Sequence, residues 1–339
     1  MRVKNKVSLC WLVLGWVFIP VGALASDSLF YKEVNFLGGY SHVQGLIGKD
    51  RGLSNSIGLE YYRKFSGDYG DYLTADLQLR LAYDSSRNSR DAWGLQIHNA
   101  WVKYKFSPEV NLRLGHFDPA FGLEPMVDTH GTILQTLAEP NIGFKQDWGL
   151  GLEGEFDNFN YRTALQIGSG MGLSREDDSF LLTGRVGSRK SQDFSYGFSL
   201  LYGKVLSSMG MNTWPEPDLM SRQAALKKRI GLDAQYLFGP FLFKAEAAYG
   251  VNDRDQTAGY LGEIDYTLPD YQNVELQLQF ESWADDFDRS PSYDSRVSLG
   301  IAYRFNQENT VRLVFCHDFF GPGQPRDDRV VLQFYYFGL

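Results

Sequence analysis

Residues 73–83 read Leu73-Thr74-Ala75-Asp76-Leu77-Gln78-Leu79-Arg80-Leu81-Ala82-Tyr83. Leu77, Leu79, Leu81 and Tyr83 share one parity and Asp76, Gln78 and Arg80 the other, which is the period of a β-strand with one apolar and one wetted face. A helix would scatter those charges around its circumference. The pattern returns where Ile230, Leu232, Ala234, Tyr236 and Phe238 alternate with Gly231, Asp233 and Gln235. It returns again where Val297, Leu299, Ile301, Tyr303 and Phe305 alternate with Ser298, Gly300, Ala302 and Arg304. Along the whole chain it predicts about sixteen strands, near 33–47, 55–65, 72–84, 93–106, 110–118, 147–157, 159–169 and 180–190, then 194–205, 227–238, 241–252, 258–268, 273–285, 294–305, 309–319 and 328–339.

The links between these strands alternate in length. Ser66 to Asp71, Ser107 to Glu109, Asn158, Ser191 to Asp193, Gly239-Pro240, Pro269 to Gln272 and Asn306 to Glu308 are short. Ser85 to Ala92, Ala120 to Gln146, Gly170 to Ser179, Leu206 to Leu226, Asp286 to Tyr293 and Gly321 to Asp327 are mostly longer and polar. Short turns on one rim and long loops on the other are the habit of barrels that cross a bacterial outer membrane, where the short turns are periplasmic.

Composition agrees. Aromatic residues make up 15% of the chain although its mean hydropathy is −0.30, so apolar groups must be interleaved with polar ones. Trp93, Trp148, Tyr202 and Tyr249 fall near the long-loop rim and Phe194, Tyr196, Phe241 and Phe305 near the other, as two interfacial girdles would. Residues 1–25 read as a cleaved secretory signal: Arg2, Lys4 and Lys6, an apolar run from Val7 to Val21, then Ala23-Leu24-Ala25. The mature chain, 26–339, contains no apolar run of the ~18 residues a membrane helix needs. Its formal charge is −11, the −8 of the whole chain less three signal cations, which argues against a nucleic-acid partner. Only Cys316 lies beyond the signal, so no internal disulfide is expected.

Inside hydrocarbon every backbone N–H and C=O needs a protein partner, so a spanning sheet must close and leave no edge. Closure at about sixteen strands leaves an aqueous bore rather than a side-chain-filled core. The fold expected is therefore an all-β, transmembrane, antiparallel up-and-down barrel. Its candidate wall residues are Asp76, Arg80, Arg113, Glu153, Glu155, Arg162, Arg185, Asp233, Arg296, Arg304 and Arg312, ions of both signs that suit water and not lipid. Around Asn99 to Lys105 the alternation slips, as a β-bulge would make it, and the last strand is apolar on both parities. The aromatic ending Tyr335-Tyr336-Phe337-Gly338-Leu339 is similar to the terminal signal read by the barrel assembly machinery.

Ala120 to Gln146 is the longest link, and one beyond ~15 residues is usually functional or disordered. Leu123, Met126, Ile133, Leu134, Leu137 and Ile142 make it too apolar for a solvated tail, so it is expected to fold into the bore. Glu124, Asp128, His130, Glu139 and Lys145 would then form the constriction. The segment Arg113-Leu114-Gly115-His116-Phe117-Asp118-Pro119-Ala120-Phe121-Gly122-Leu123-Glu124 resembles the Gly-x-Phe-x-x-Pro-Phe-Gly-x-Glu type of segment in the phosphate-selective porin O and P family. That resemblance implies a sixteen-stranded, trimeric anion channel whose bore carries arginine and lysine arrays. The net acidic loop and balanced wall depart from it, so architecture is carried over and phosphate specificity is not.

The function expected is passive diffusion of ions or small polar solutes across the outer membrane, with lipid, the assembly machinery and a homotrimer as partners and no cofactor or metal. The competing reading is a sheath that holds a cytochrome partner inside the bore. Histidines 42, 98, 116, 130 and 317 lack metal spacing and no Gly-x-Ser-x-Gly elbow occurs, so catalysis is not expected.

Overall fold

The computed structural model describes residues 28–50, 53–68, 70–84, 92–189, 192–208, 210–286, 293–319 and 326–339. The expected signal segment, and parts of the links expected at 85–92, 191–193, 286–293 and 321–327, lie outside the described residues. Sixteen long strands form the wall: β1 Ser28–Ser41, β2 Leu53–Gly67, β3 Gly70–Tyr83, β4 Trp93–Ser107, β5 Val110–Phe117, β6 Asp147–Glu155, β7 Asn160–Gln166 and β8 Phe180–Gly187. They continue as β9 Phe194–Val205, β10 Ala225–Phe238, β11 Phe241–Asn252, β12 Asp255–Leu268, β13 Tyr271–Ala284, β14 Tyr293–Arg304, β15 Asn309–Phe319 and β16 Asp327–Gly338. Each pairs antiparallel with the next, and β1 closes the ring on β16 from Lys32↔Gly338 to Ser41↔Arg329. Every wall strand therefore has two neighbours, and no open edge meets lipid.

The first strand ends earlier than the alternation suggests. The pattern predicts a strand to residue 47, but β1 stops at Ser41, because Gln44 N donates to Ser41 Oγ at 2.9 Å and Val43 N to Asp327 Oδ1 at 3.0 Å. A side-chain-stabilised turn thus outcompetes the ladder. Gly45–Ile47 then folds back onto β1, and Lys49–Asp50 pairs with the start of β2.

Burial follows the two parities. Outward Leu114, Leu165, Ile230, Leu232 and Leu299 are exposed on the bare protein, as a lipid-facing band must be, while inward Asp76, Gln78, Arg80, Asp233 and Glu263 are buried. The alternation slip in β4 is a bulge: Leu79 pairs with Ile97 and Gln78 with Asn99, leaving His98 unopposed. Beyond it Trp101 and Lys103 align with inward Asp76 and Thr74, and the strand resumes with shifted parity.

Gly115 in β5 has φ +131, and a Cβ there would lie 2.1 Å from Ala100 O. Gly115→Ala is accordingly expected to destabilise the barrel by about 1–3 kcal/mol. The urea midpoint in micelles should fall. An unchanged midpoint would mean that the backbone at 115 accommodates a methyl group without strain.

Candidate pore constriction

After Phe117 the chain leaves the wall and enters the bore. Three backbone donors are caught by inward side chains: Ala120 N by Thr183 Oγ1 at 3.0 Å, Gly122 N by Ser199 Oγ at 3.1 Å and Leu123 N by Glu246 Oε2 at 3.2 Å. Gly122 has φ +62, and a Cβ there would meet the Glu246 carboxylate at 2.1 Å, so the turn needs glycine. The Phe121 ring lies where a side chain on Gly231 would be, since a Cβ at 231 would stand 2.5 Å from it. The residues that carried the family resemblance are thus the ones that steer the loop inward.

The loop is held by apolar contacts on three sides. Phe121, Ile142 and Phe144 pack with Leu181, Leu201, Val205, Ala248 and Trp283. Ile133 and Leu134 pack with Leu37, Leu53, Val314, Cys316 and Val331, and Leu123 and Leu137 with Leu261. These inward apolar wall residues explain why the last strand is greasy on both parities. Its inner face touches the loop, not water.

Wall side chains also satisfy the loop's carbonyls, which backbone folded away from a ladder must have satisfied. Arg162 donates to Pro125 O at 2.8 Å, Arg312 to Gly131 O at 2.9 Å and Gln279 to Gln135 O at 3.1 Å. The one-turn helix α1, Ala138–Ile142, receives Lys227 Nζ on Ile142 O at 2.8 Å and Arg229 Nε on Asn141 Oδ1 at 3.0 Å. At the loop tip His130 meets Glu33 Oε2 at 3.3 Å and Tyr335 Oη at 3.1 Å, and Glu33 also accepts Arg80 Nε at 2.8 Å.

The remaining space divides around this loop. A cavity of about 260 Å³ lies between Glu124, Asp128, His130 and Lys145 of the loop and Glu60, Gln78, His98 and Asn99 of β2 to β4. One of about 210 Å³ lies on the other side of residues 127–130, against Lys244, Glu263, Asp265, Glu275, Arg304 and Arg312. A wider space of about 640 Å³ lies beside α1.

Four of the five expected constriction residues therefore line one cavity. Glu139 does not and sits at the wider space by α1. Among the wall candidates, Arg113 and Arg162 converge on Glu153, at 2.9 and 3.9 Å, where Lys103 joins them at 3.0 Å. Arg304 pairs with Glu275 at 2.7 Å beside Arg312, Arg296 pairs with Asp318, and the carboxyl of Asp76 faces Glu60. Arg185 and Asp233 pair at 2.6 Å with side chains only 1% and 2% exposed, sealed away from the open space. Glu155 pairs with exposed Arg189 at the short-turn rim. Glu60, Asp118 and Gln146 also line the 260 Å³ cavity and are absent from the residues expected there. For Glu60 the signal is present in the sequence, because Ile57, Leu59 and Tyr61 occupy the outward parity.

The family model of the phosphate-selective porins O and P matches residues 42–199, bearing out the resemblance seen at 113–124. No curated protein sequence matches the chain. Among solved structures, a loop-deletion mutant of OmpT, an outer membrane protein of Vibrio cholerae, superposes with a TM-score of 0.66 at 12% identity, covering 91% of this chain and 98% of its own. The anion-selective porin from Comamonas acidovorans gives 0.65 at 14%, covering 92% and 99%. OmpF of Salmonella typhi, in complex with daunomycin, gives 0.64 at 10%, covering 91% and 97%. The chain has the closed sixteen-strand antiparallel fold of porins and is a porin-type outer-membrane barrel.

Proposed function

We propose that the barrel is a passive channel whose permeant ions and small polar solutes pass the third loop through the cavity lined by Glu124, Asp128, His130 and Lys145. The observation that carries this is the loop itself: it enters the bore, is anchored on many strands, and divides the space that remains into separate cavities, two of them narrow and polar. A homotrimer embedded in lipid and inserted by the assembly machinery belongs to the same proposal, as does the lack of any catalytic step. The sheath reading is disfavoured because the loop occupies the volume that a cytochrome would need.

The route should respond to pH. Asp118 lies just beyond β5, and burial first, then the nearby Glu124 carboxylate, raise its carboxyl above the usual carboxylate range against the opposing pull of Arg113 and Arg162. A raised carboxyl takes up its proton earlier on acidification, so negative charge leaves the cavity as pH falls. The reversal potential in a salt gradient is expected to move toward anions as pH falls, and Asp118→Asn should diminish that movement. A pH-independent potential in the wild type would contradict this role.

A further inference from the structure

We infer that the long link from Leu206 to Leu226 is a working part of the barrel wall. It straps the tops of four strands too short to span the membrane, serves β4 as a surrogate neighbour, and holds the base of the constriction loop. Only its consequence for conductance rests on the channel reading above. Strands β5 to β8 hold 8, 9, 7 and 8 residues, whereas the other wall strands run from 11 to 15. A spanning strand tilted near 45° needs about 9–11. On this arc the ladder stops short of the long-loop rim.

β4 shows what is missing. It pairs with β5 only from Ala100↔His116 to Ser107↔Val110, because β5 ends at Phe117 where the chain enters the bore, so Trp93 to Asn99 have no wall strand on that side. The link supplies one. Leu95 N donates to Trp214 O at 2.9 Å, and Leu95 O accepts Thr213 N at 2.8 Å and Trp214 N at 3.1 Å. Ile97 N donates to Thr213 Oγ1 at 3.0 Å, across 116 residues of sequence. Backbone groups that would otherwise meet the membrane unpaired are thus satisfied. Asn212 lies over Gly94, where a Cβ would stand 2.3 Å from its Oδ1. Trp214 opposes Leu95 and so shares its outward face, 63% exposed as an interfacial ring would be.

The same link ties the short strands to the constriction loop. Leu206 N donates to Gly168 O, just beyond β7, at 2.9 Å, and Ser208 N donates to Gly143 O, at the end of α1, at 2.8 Å. A Cβ on Gly143 would stand 2.9 Å from Leu206 O, so the link's backbone lies directly on the base of the loop. Its return limb folds back on it, with Met220 N donating to Ser207 O at 2.9 Å. Leu206, Ser208, Asn212 and Thr213 are all buried, unlike the residues of a solvated surface loop. Ser207, Ser208 and Met220 border the space of about 640 Å³ beside α1, so the link bounds the bore on this side.

Residue-resolved amide exchange of the full mature barrel in micelles tests this. Leu95 and Ile97 should exchange as slowly as residues 101–105, which sit in the β4–β5 ladder. Thr213→Val keeps the shape and removes the acceptor, so Ile97 should exchange roughly tenfold faster, while Thr213→Ser, which keeps the hydroxyl, should restore the wild-type rate. Replacing residues 210–218 by a Gly-Gly link should free both amides and raise single-channel conductance. Should that variant not insert, the two Thr213 variants decide the matter. Fast exchange of Leu95 and Ile97 in the wild type, or an Ile97 rate indifferent to Thr213→Val, overturns the inference. Freed amides with unchanged conductance overturn the link's hold on the constriction loop. A wild type without conducting steps overturns the channel reading and leaves the strap standing.

Discussion

Asp233→Ala is expected to destabilise the barrel by about 3–5 kcal/mol, because it strands the Arg185 guanidinium in a place with no water to receive its charge. Arg185 Nε and Nη2 reach Asp233 Oδ2 and Oδ1 at 2.9 and 2.6 Å, and among the described residues only Asn160 Oδ1, at 3.3 Å, otherwise accepts from the guanidinium. The side chain also fills the space over Gly197, where a Cβ would stand 2.3 Å from it. Truncation therefore removes a counterion without giving the cation room to move. Replacing both partners, Arg185→Met with Asp233→Leu, should recover most of the loss, since a buried pair costs desolvation that apolar side chains do not. Urea titration in micelles reads both effects. A single-variant loss below about 1 kcal/mol would mean that the pair is wetter than its burial indicates.

Phe121→Ala should cost a similar amount, about 3–5 kcal/mol, but in a different place. The ring is 1% exposed in a cluster shared by the loop and strands β8, β9, β11 and β13, and each wall strand keeps both of its ladder partners without it. The loss falls on docking of the loop, not on closure of the barrel. Limited proteolysis in detergent is expected to cut residues 120–146 far faster in the variant while the barrel stays intact. Equal protection in the two proteins would show that the ring does not anchor the loop.

Period-two alternation locates all sixteen wall strands because lipid and water impose opposite demands on alternate residues, and that contrast is local in sequence. It fails where a third environment intervenes. Leu181, Val314 and Val331 face inward yet are apolar, because they meet the loop rather than water. An apolar residue on the polar parity thus marks the loop's footprint. The end of β1 is illegible for a different reason: Asp327, nearly three hundred residues away, caps its turn. The inward course of the loop is legible from its own apolar residues. Which acids share a cavity is less so, because Glu60 and Asp118 come together only when the chain turns at Gly122 and crosses the bore. Nor does parity distinguish Arg185, sealed in its pair with Asp233, from Arg312, which opens onto a cavity.

A wide barrel narrowed by its own third loop should conduct more when that loop is taken away. Single-channel conductance of the wild type should therefore be compared with that of a variant in which residues 123–141 are replaced by a short Gly-Ser link. The expected result is a conductance several-fold larger, with the barrel still folded and inserted, since the bore of a sixteen-strand barrel is wide once emptied. An unchanged conductance in a correctly inserted variant would contradict the claim.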